Sequence, residues 1–196
     1  MKEVPVLEVK RCFVTANALR PKRAKGAYKG GSYTQDLKER MQLAKAKVAK
    51  YSEKKLDSII AKEYRRRLRA YNASHWYITT VSLSDVGVWR GAGKLPRPWT
   101  EGSVVETAQL IKKHMPTSAP LREFAKVVAP TQQDIYFLPI VFAHNTGTQG
   151  RRGLNRKLVG DIDDGCMRSI ALALRGKKNM KVYFGVPKKK TKSKQA

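Results

Sequence analysis

Apolar residues recur at steps of three and four along residues 34–72, and this spacing predicts an amphipathic helix or a pair of helices. Leu37 and Met41 belong to the first part of the apolar stripe, and Ile60 belongs to the second part. No Gly or Pro interrupts the segment, and Ser52 marks the position where one helix would bend or a second would begin. The pattern therefore predicts a long helical element in the first half of the chain.

Residues 73–187 combine short helical patterns with short runs of β-branched and aromatic residues. Residues 101–128 predict two short helices, and residues 166–175 predict another. The apolar run at 135–142 predicts a buried strand or a short apolar helix, and the run at 181–186 predicts a strand. We expect a mainly α protein, in which an extended basic arm and one or two long basic helices precede a helical-bundle body with a small β element.

Start and stop signals mark the ends of these helices. Ser103 and Glu106 have the spacing of a capping box, in which each side chain accepts a hydrogen bond from the other residue's backbone N–H group. Gly176 ends the helix predicted over residues 166–175. The acidic residues at 161–164 precede that helix, where carboxylates bind free N–H groups and interact favourably with the helix dipole. We therefore expect these acids to cap the helix.

The chain carries a large excess of positive charge, with 41 Lys and Arg residues against 15 Asp and Glu residues and a formal net charge of +26. A compact fold with this charge repels itself unless a polyanion or counterions offset it. An anionic membrane surface or an acidic protein could do so, but a duplex carries one charge per ~1.7 Å of its axis and matches this density best. A hydrophobic content of 41% also provides for a core. We expect a partner that is nucleic acid, either DNA or RNA.

The basic residues are spread along the chain rather than collected in one patch. The sequence divides into an extended basic arm at 1–33, a nucleic-acid-binding helix or helix pair at 34–72, an apolar helical body at 73–187 and a Lys-rich tail at 188–196. A basic, Gly-rich loop at 145–157 interrupts the body. The residues expected to contact phosphates are Arg20, Lys22, Arg23, Lys25, Lys29, Lys38, Lys45, Lys54, Lys62, Arg65, Arg66, Arg69, Arg151, Arg152, Arg156 and Lys157.

The composition of the long helical segment indicates how it would bind. Residues 38–69 hold twelve Lys and Arg side chains against four Asp and Glu side chains. A solvated helix face normally mixes both signs. Few Asn or Gln residues, whose side chains recognise adenine edges, lie among these cations. We therefore expect sequence-independent contacts with the phosphate backbone.

The sequence offers few groups for catalysis or cofactor binding. Cys12 and Cys166 lack metal-site spacing and are interpreted as free thiols, and His75, His114 and His144 lack such spacing too. No P-loop or nucleophile motif occurs, so we expect no cofactor, no metal and no enzymatic activity. No apolar run reaches the ~18 residues of a membrane span, and the N-terminus lacks the apolar core of a signal peptide. We expect use in a cytosol-like compartment or in a particle assembled there.

Asp161, Asp163 and Asp164 are the one candidate for catalysis, with Arg168 one helical turn further on. An Asp-x-Asp-Asp cluster can hold Mg²⁺ for phosphodiester hydrolysis. The segment resembles the Asp-x-Asp-Asn stretch and following helix of small phage-type Holliday-junction resolvases, with Asp164 in place of the Asn and Arg168 in place of the usual Lys. This resemblance implies a Mg²⁺-dependent nuclease as an alternative to a helix cap.

The order of a basic arm, a long basic helix and an apolar body over residues 20–175 resembles the major coat proteins of filamentous archaeal double-stranded DNA viruses. The resemblance is one of architecture. It implies a helical arm that wraps DNA in A-like form, a helix-bundle body that builds the shell, and a homo- or heterodimeric unit with a second coat protein in the virion. We therefore expect a structural packaging protein that self-assembles, with a ribosomal or other ribonucleoprotein component as the alternative.

Overall fold

The computed structural model describes residues 1–18, 33–115, 132–144, 146 and 158–188, and within them six strands form one mixed sheet. The strands are β1 (Lys2–Val4), β2 (Ser74–Ser82), β3 (Val86–Gly87), β4 (Ile140–Ala143), β5 (Gly160–Asp164) and β6 (Asn179–Pro187). Their order across the sheet is β1-β2-β6-β4-β5-β3. The pairs β6/β4 and β5/β3 are parallel, and the other pairs are antiparallel.

The expectation of a mainly α protein is wrong, because this sheet makes the chain an α/β fold. β2 and β6 are its longest strands, and they pair along their whole length from Ser74 opposite Pro187 to Ser82 opposite Asn179. The sequence pattern predicted a strand over residues 181–186, which covers the middle of β6 but not its ends. Strands covered on both faces lack the alternation of apolar and polar residues that identifies a strand from sequence.

Helices cover both faces of the sheet. They are α1 (Val6–Ala18), α2 (Tyr33–Ala49), α3 (Glu53–Asn72), α4 (Val104–His114) and α5 (Cys166–Leu174). Successive side chains of β6 point to opposite faces of the sheet and so join different cores. Val182 and Phe184 join the core under α4 and α5, whereas Tyr183 joins the core under α1, α2 and α3. The expected helical-bundle body is therefore two helical layers separated by a sheet. The second helix expected between residues 116 and 128 lies outside the described residues.

Residues 1–18 form β1 and α1 and do not belong to an extended arm. Val4 of β1 lies opposite Trp76 of β2, and Phe13 of α1 is buried in the core shared with α3. Charged residues interrupt the apolar positions of α1, so the sequence pattern did not reveal this helix. One of those charged residues, Lys10, is itself buried, with 2% of its side chain exposed.

Several helix signals are confirmed. Ser52 caps α3 by accepting a hydrogen bond from the backbone N–H of Lys55 at 3.3 Å, so the segment at 34–72 contains two helices. Ser103 and Glu106 form the capping box of α4, in which the Ser103 N–H donates to the Glu106 carboxylate at 2.7 Å. Gly176, with φ of +76°, follows the end of α5.

The acids at 161–164 do not cap a helix, and that expectation is corrected. They form β5, and the N-cap of α5 is Gly165, with φ of +99°. A Cβ atom at Gly165 would lie 3.0 Å from the Cα of Pro139, so both the backbone angle and the available space favour glycine. The carboxylates therefore belong to the sheet, and their side chains must find partners within the layers around it.

A buried ion pair joins α3 to β5. The Arg67 Nε donates to the Asp163 carboxylate at 2.6 Å, with the two side chains 2% and 1% exposed. The Tyr71 hydroxyl donates to the same carboxylate oxygen at 2.9 Å, and the Arg67 guanidinium lies 4.5 Å from the centre of the Phe13 ring. Burial, together with the Asp163 charge, raises the pKa of Tyr71 well above its ordinary value of 10.0, so the hydroxyl remains a donor. Burial alone would lower the pKa of Arg67, but the charge of Asp163 reverses that effect and raises it.

Breaking this ion pair from one side should be costly. We expect Arg67→Met or Asp163→Asn each to lower the free energy of unfolding by about 3–5 kcal/mol, because either change leaves an uncompensated buried charge. The double variant should lose about 2 kcal/mol less than the sum of the single variants, because it leaves neither charge buried without its partner. Urea unfolding at neutral pH measures all three changes. Strictly additive effects would show that the two charges do not interact.

The Cys12 thiol should be inert in the folded protein. It is fully buried and donates to the Leu138 carbonyl at 3.1 Å, and burial raises its pKa to about 12. Since the thiolate is the nucleophile, a Cys166→Ser variant should react with iodoacetamide at pH 8 only after urea unfolds it. Mass spectrometry follows the labelling. Rapid labelling without denaturant would contradict this placement of Cys12.

Candidate nucleic-acid interface

The outward face of α3 carries a row of cations. An α-helix turns by about 100° per residue, and on that basis six basic residues of α3 fall within an arc of about 120°. We call them the α3 cation row: Lys54, Lys55, Lys62, Arg65, Arg66 and Arg69. All six are exposed. Every residue of α3 that the sequence analysis expected to contact phosphates belongs to this row.

The opposite side of α3 fixes which way the row faces. Leu56, Ile60, Arg67 and Tyr71 are buried, and they fall within about 60° of arc on the far side of the helix from the cations. Three of them pack in the core under α1 and the sheet, and the fourth, Arg67, binds Asp163. The packing of α3 therefore directs the α3 cation row to solvent.

Two acids of α3 are already occupied by another cation. Glu53 and Asp57 lie 2.8 Å and 2.7 Å from the Nζ of the buried Lys10 on α1. Burial alone would lower the pKa of Lys10, but hydrogen bonds to Asp57 and Glu53 raise it above its ordinary value of 10.5. Within the described part of the chain, no side chain of the α3 cation row has an ion-pair partner. The row is therefore available to an external anion.

The length of the row suits a polyanion. From Lys54 to Arg69 it extends about 22 Å along the helix axis, at a rise of ~1.5 Å per residue. A duplex presents about 13 phosphate charges over that distance. Three of the six cations are arginines, whose planar guanidinium groups bind phosphate oxygens in pairs. The geometry supports repeated contacts with a backbone rather than one bound anion.

Of the two residues of α2 that were expected to contact phosphates, one is exposed and the other forms an ion pair within the fold. Lys38 is exposed, whereas the Lys45 Nζ lies 2.8 Å from the Asp134 carboxylate and 5.2 Å from the centre of the Tyr136 ring. Lys45 thus holds α2 against the short 3-10 turn at Ile135–Phe137. Its interaction within the fold competes with any phosphate contact.

The points where two other basic segments join the described fold lie at the end of the sheet where α3 ends. α3 ends at Asn72, β2 begins at Ser74, and the Lys188 Nζ donates to the Asn72 carbonyl at 2.9 Å. β4 runs parallel to β6, so Ala143 also lies toward this end. The loop that follows Ala143 and the tail that follows Lys188 therefore leave the described fold on the side where the α3 cation row ends.

Many of the expected phosphate contacts lie outside the described residues. These are Arg20, Lys22, Arg23, Lys25 and Lys29 of the arm and Arg151, Arg152, Arg156 and Lys157 of the loop. The arm connects the end of α1 at Ala18 with the start of α2 at Tyr33. Both of those ends belong to the helical layer that also contains α3.

The acidic trio on β5 is divided among three basic side chains. Asp163 binds Arg67, and Asp164 accepts from Arg168 at 2.7 Å. Asp161 has an oxygen 3.1 Å from the Nδ1 of His144. Among the described residues, no three His, Cys, Asp or Glu side chains are grouped closely enough to hold a metal ion. This pairing is typical of structural ion pairs and gives no support to the nuclease alternative.

Arg67 is the residue whose role the sequence analysis missed, because it was counted among the cations available to phosphates. Its position carried a signal. Arg67 is seven residues after Ile60 and four before Tyr71, so it falls on the apolar stripe of the helix. A cation on a buried stripe requires a buried anion, and Asp163 provides it.

No protein-family model, curated protein or solved structure matches the chain. Among the described residues, no helix combines the length and apolar character needed to cross a membrane. The site is therefore interpreted from its own geometry.

Removing charge from the α3 cation row should not destabilise the fold. In the triple variant Arg65→Gln, Arg66→Gln and Arg69→Gln, we expect the free energy of unfolding to stay within ~0.5 kcal/mol of the original chain. At low salt the variant should be slightly more stable, because like charges repel along one helix face. Thermal unfolding at two salt concentrations measures this. A large loss of stability would mean that these arginines are structural.

Proposed function

We propose that this protein packages nucleic acid by binding the phosphate backbone of a duplex without sequence preference. The observation that carries the proposal is the α3 cation row, six exposed cations on one face of a rigid helix without ion-pair partners in the described chain. Since α3 is anchored to the sheet through Arg67, the row offers these charges in a fixed line. Binding then needs little ordering of the protein backbone.

A duplex fits this surface better than a membrane does. A helix that lies on a membrane inserts its apolar face into the lipid interface. The apolar face of α3 is already occupied, because Leu56 and Ile60 are fully buried in the core. Only the charged face of α3 remains for an external partner, and charge alone favours a polyanion with regularly spaced phosphates.

The packaging role is supported by the points at which two further basic segments join the described fold. The tail continues from Lys188, which is bound to the end of α3, and the basic loop leaves the sheet at the same end. The sheet differs from the helical body that the coat-protein resemblance implies. The proposal therefore rests on the distribution of charge and not on that resemblance.

Salt dependence of duplex binding tests the proposal. If the α3 cation row makes six phosphate contacts, the slope of log K against log salt should be about −5 or steeper. Two duplexes of unrelated sequence should give equal affinities. Fluorescence anisotropy with labelled 20-base-pair DNA measures both quantities. Binding that does not change with salt would contradict the proposal, and an RNA duplex tested in parallel determines which nucleic acid binds more tightly.

A charge-matched pair of variants locates the contact. The triple variant Arg65→Gln, Arg66→Gln and Arg69→Gln should reduce the magnitude of the slope by about 3 and weaken affinity on the order of 100-fold at physiological salt. The control variant Lys2→Gln, Lys94→Gln and Arg97→Gln removes the same charge from exposed positions elsewhere. Equal weakening by both variants would show that net charge, and not the α3 cation row, determines binding.

A further inference from the structure

A second cationic surface lies in the other helical layer. A groove of about 400 Å³ opens between the end of β2, α4 and the end of α5. Val105, Ala108 and Ala173 form apolar parts of its wall, and Lys112, Lys177 and Lys178 add three ammonium groups. We call this the α4–α5 groove.

The three lysines of the α4–α5 groove are free to bind an external anion. Lys112, Lys177 and Lys178 are exposed, and within the described residues none of their ammonium groups has an ion-pair partner. Two acids in the flanking segments are engaged elsewhere. Asp85 accepts from the Ser84 hydroxyl at 2.7 Å, and Glu106 belongs to the capping box of α4.

These lysines are not needed to complete the helix ends. Lysines near a helix C-terminus often bind its last carbonyl groups. At the end of α5 backbone N–H groups already do this, since Gly176 donates to the Ala173 carbonyl at 2.9 Å and Lys177 to the Leu172 carbonyl at 3.1 Å. The ammonium groups of Lys177 and Lys178 therefore remain available above the groove.

The α4–α5 groove is separated from the C-terminal end of the α3 cation row. It lies at the end of the sheet where Ser82 pairs with Asn179, whereas α3 ends near Ser74, where β2 pairs with Pro187. β2 spans about 27 Å between those two ends. The groove is also on the opposite face of the sheet. A straight duplex bound along the α3 cation row cannot reach it.

We propose that the α4–α5 groove binds the sugar-phosphate backbone of a second nucleic acid segment, so that one chain bridges two duplexes. The apolar wall accommodates the faces of sugar rings, and the three lysines neutralise the adjoining phosphates. This inference rests on the proposed function, because it assigns the α3 cation row to the first segment. Bridging is the step that turns backbone binding into compaction.

A two-duplex capture assay tests the bridge. One duplex is immobilised, a second carries a fluorophore, and the full chain is added at low salt. The original chain should retain the labelled duplex. The variant Lys112→Gln, Lys177→Gln and Lys178→Gln should retain at least ten-fold less, while its anisotropy titration with a single duplex changes by less than three-fold. The control variant at Lys2, Lys94 and Arg97 should bridge as the original chain does.

The possible failures are distinguishable. If the original chain binds no duplex, the proposed function fails. If it binds and the groove variant still bridges, for example through self-association seen by sedimentation, only the bridging inference is overturned. A third outcome is that dAMP binds the original chain but not the groove variant, while both proteins bridge equally well. The groove would then be a nucleotide pocket, and the bridging inference would also be overturned. Thermal unfolding confirms that each variant is folded.

Discussion

The contact between Arg67 and Asp163 determines how α3 sits on the sheet. Arg67 lies in the middle of the buried side of α3, and its guanidinium cannot turn to solvent without leaving the Asp163 carboxylate buried and unpaired. Rotation of α3 about its own axis is therefore strongly opposed. Because the helix cannot rotate, the side that carries the six cations of the α3 cation row has one orientation, which is toward solvent.

Ion pairs within the fold use several of the few acids and so leave an excess of unpaired cations at the surface. Lys10, Lys45, Arg67 and Arg168 are each matched by carboxylates. These four cations engage five carboxylates, because Lys10 pairs with both Glu53 and Asp57, so the large positive net charge stays with the remaining groups. The protein thus uses its few acids to hold helices to one another and to the sheet. Among the exposed residues of the described chain, basic side chains therefore outnumber acidic ones, and this excess favours attraction to polyanions.

Local signals in the sequence were good guides to local structure. The bend at Ser52, the capping box at Ser103 and the stop at Gly176 all depend on short-range hydrogen bonds, which a few neighbouring residues specify. The sheet was harder to predict, because β2 and β6 are paired across about a hundred residues of chain. Their pairing, and not an internal pattern, decides their length. The same holds for the acids at 161–164, which become strand residues through β4 and not through the helix that follows.

The sequence predicted that the candidate site would be rich in cations, but it predicted only in part which of those cations are free of partners in the fold. The excess of cations over residues 38–69 indicated phosphate contact before any geometry was known. The apolar stripe of α3 separates Arg67 from Arg65, but no pattern in the sequence separates Lys45, which binds a carboxylate distant in the chain, from Lys54, which does not. That separation requires knowing which acids fold back onto each helix.

The attachment of Lys188 to the end of α3 has a consequence for how the Lys-rich tail can act. Through its Nζ and its backbone N–H, Lys188 binds the carbonyls of Asn72 and Ala73, one helical turn from Arg69. The lysines that follow thus start beside a surface that would already hold a phosphate backbone. If a duplex binds there as proposed, tethering at Lys188 would give these lysines a high effective concentration at its backbone, in the ~millimolar range typical of short linkers. The tail would then slow dissociation of the duplex from the α3 cation row, because its contacts would form within the complex. The row and the tail would together act as one bivalent binding surface.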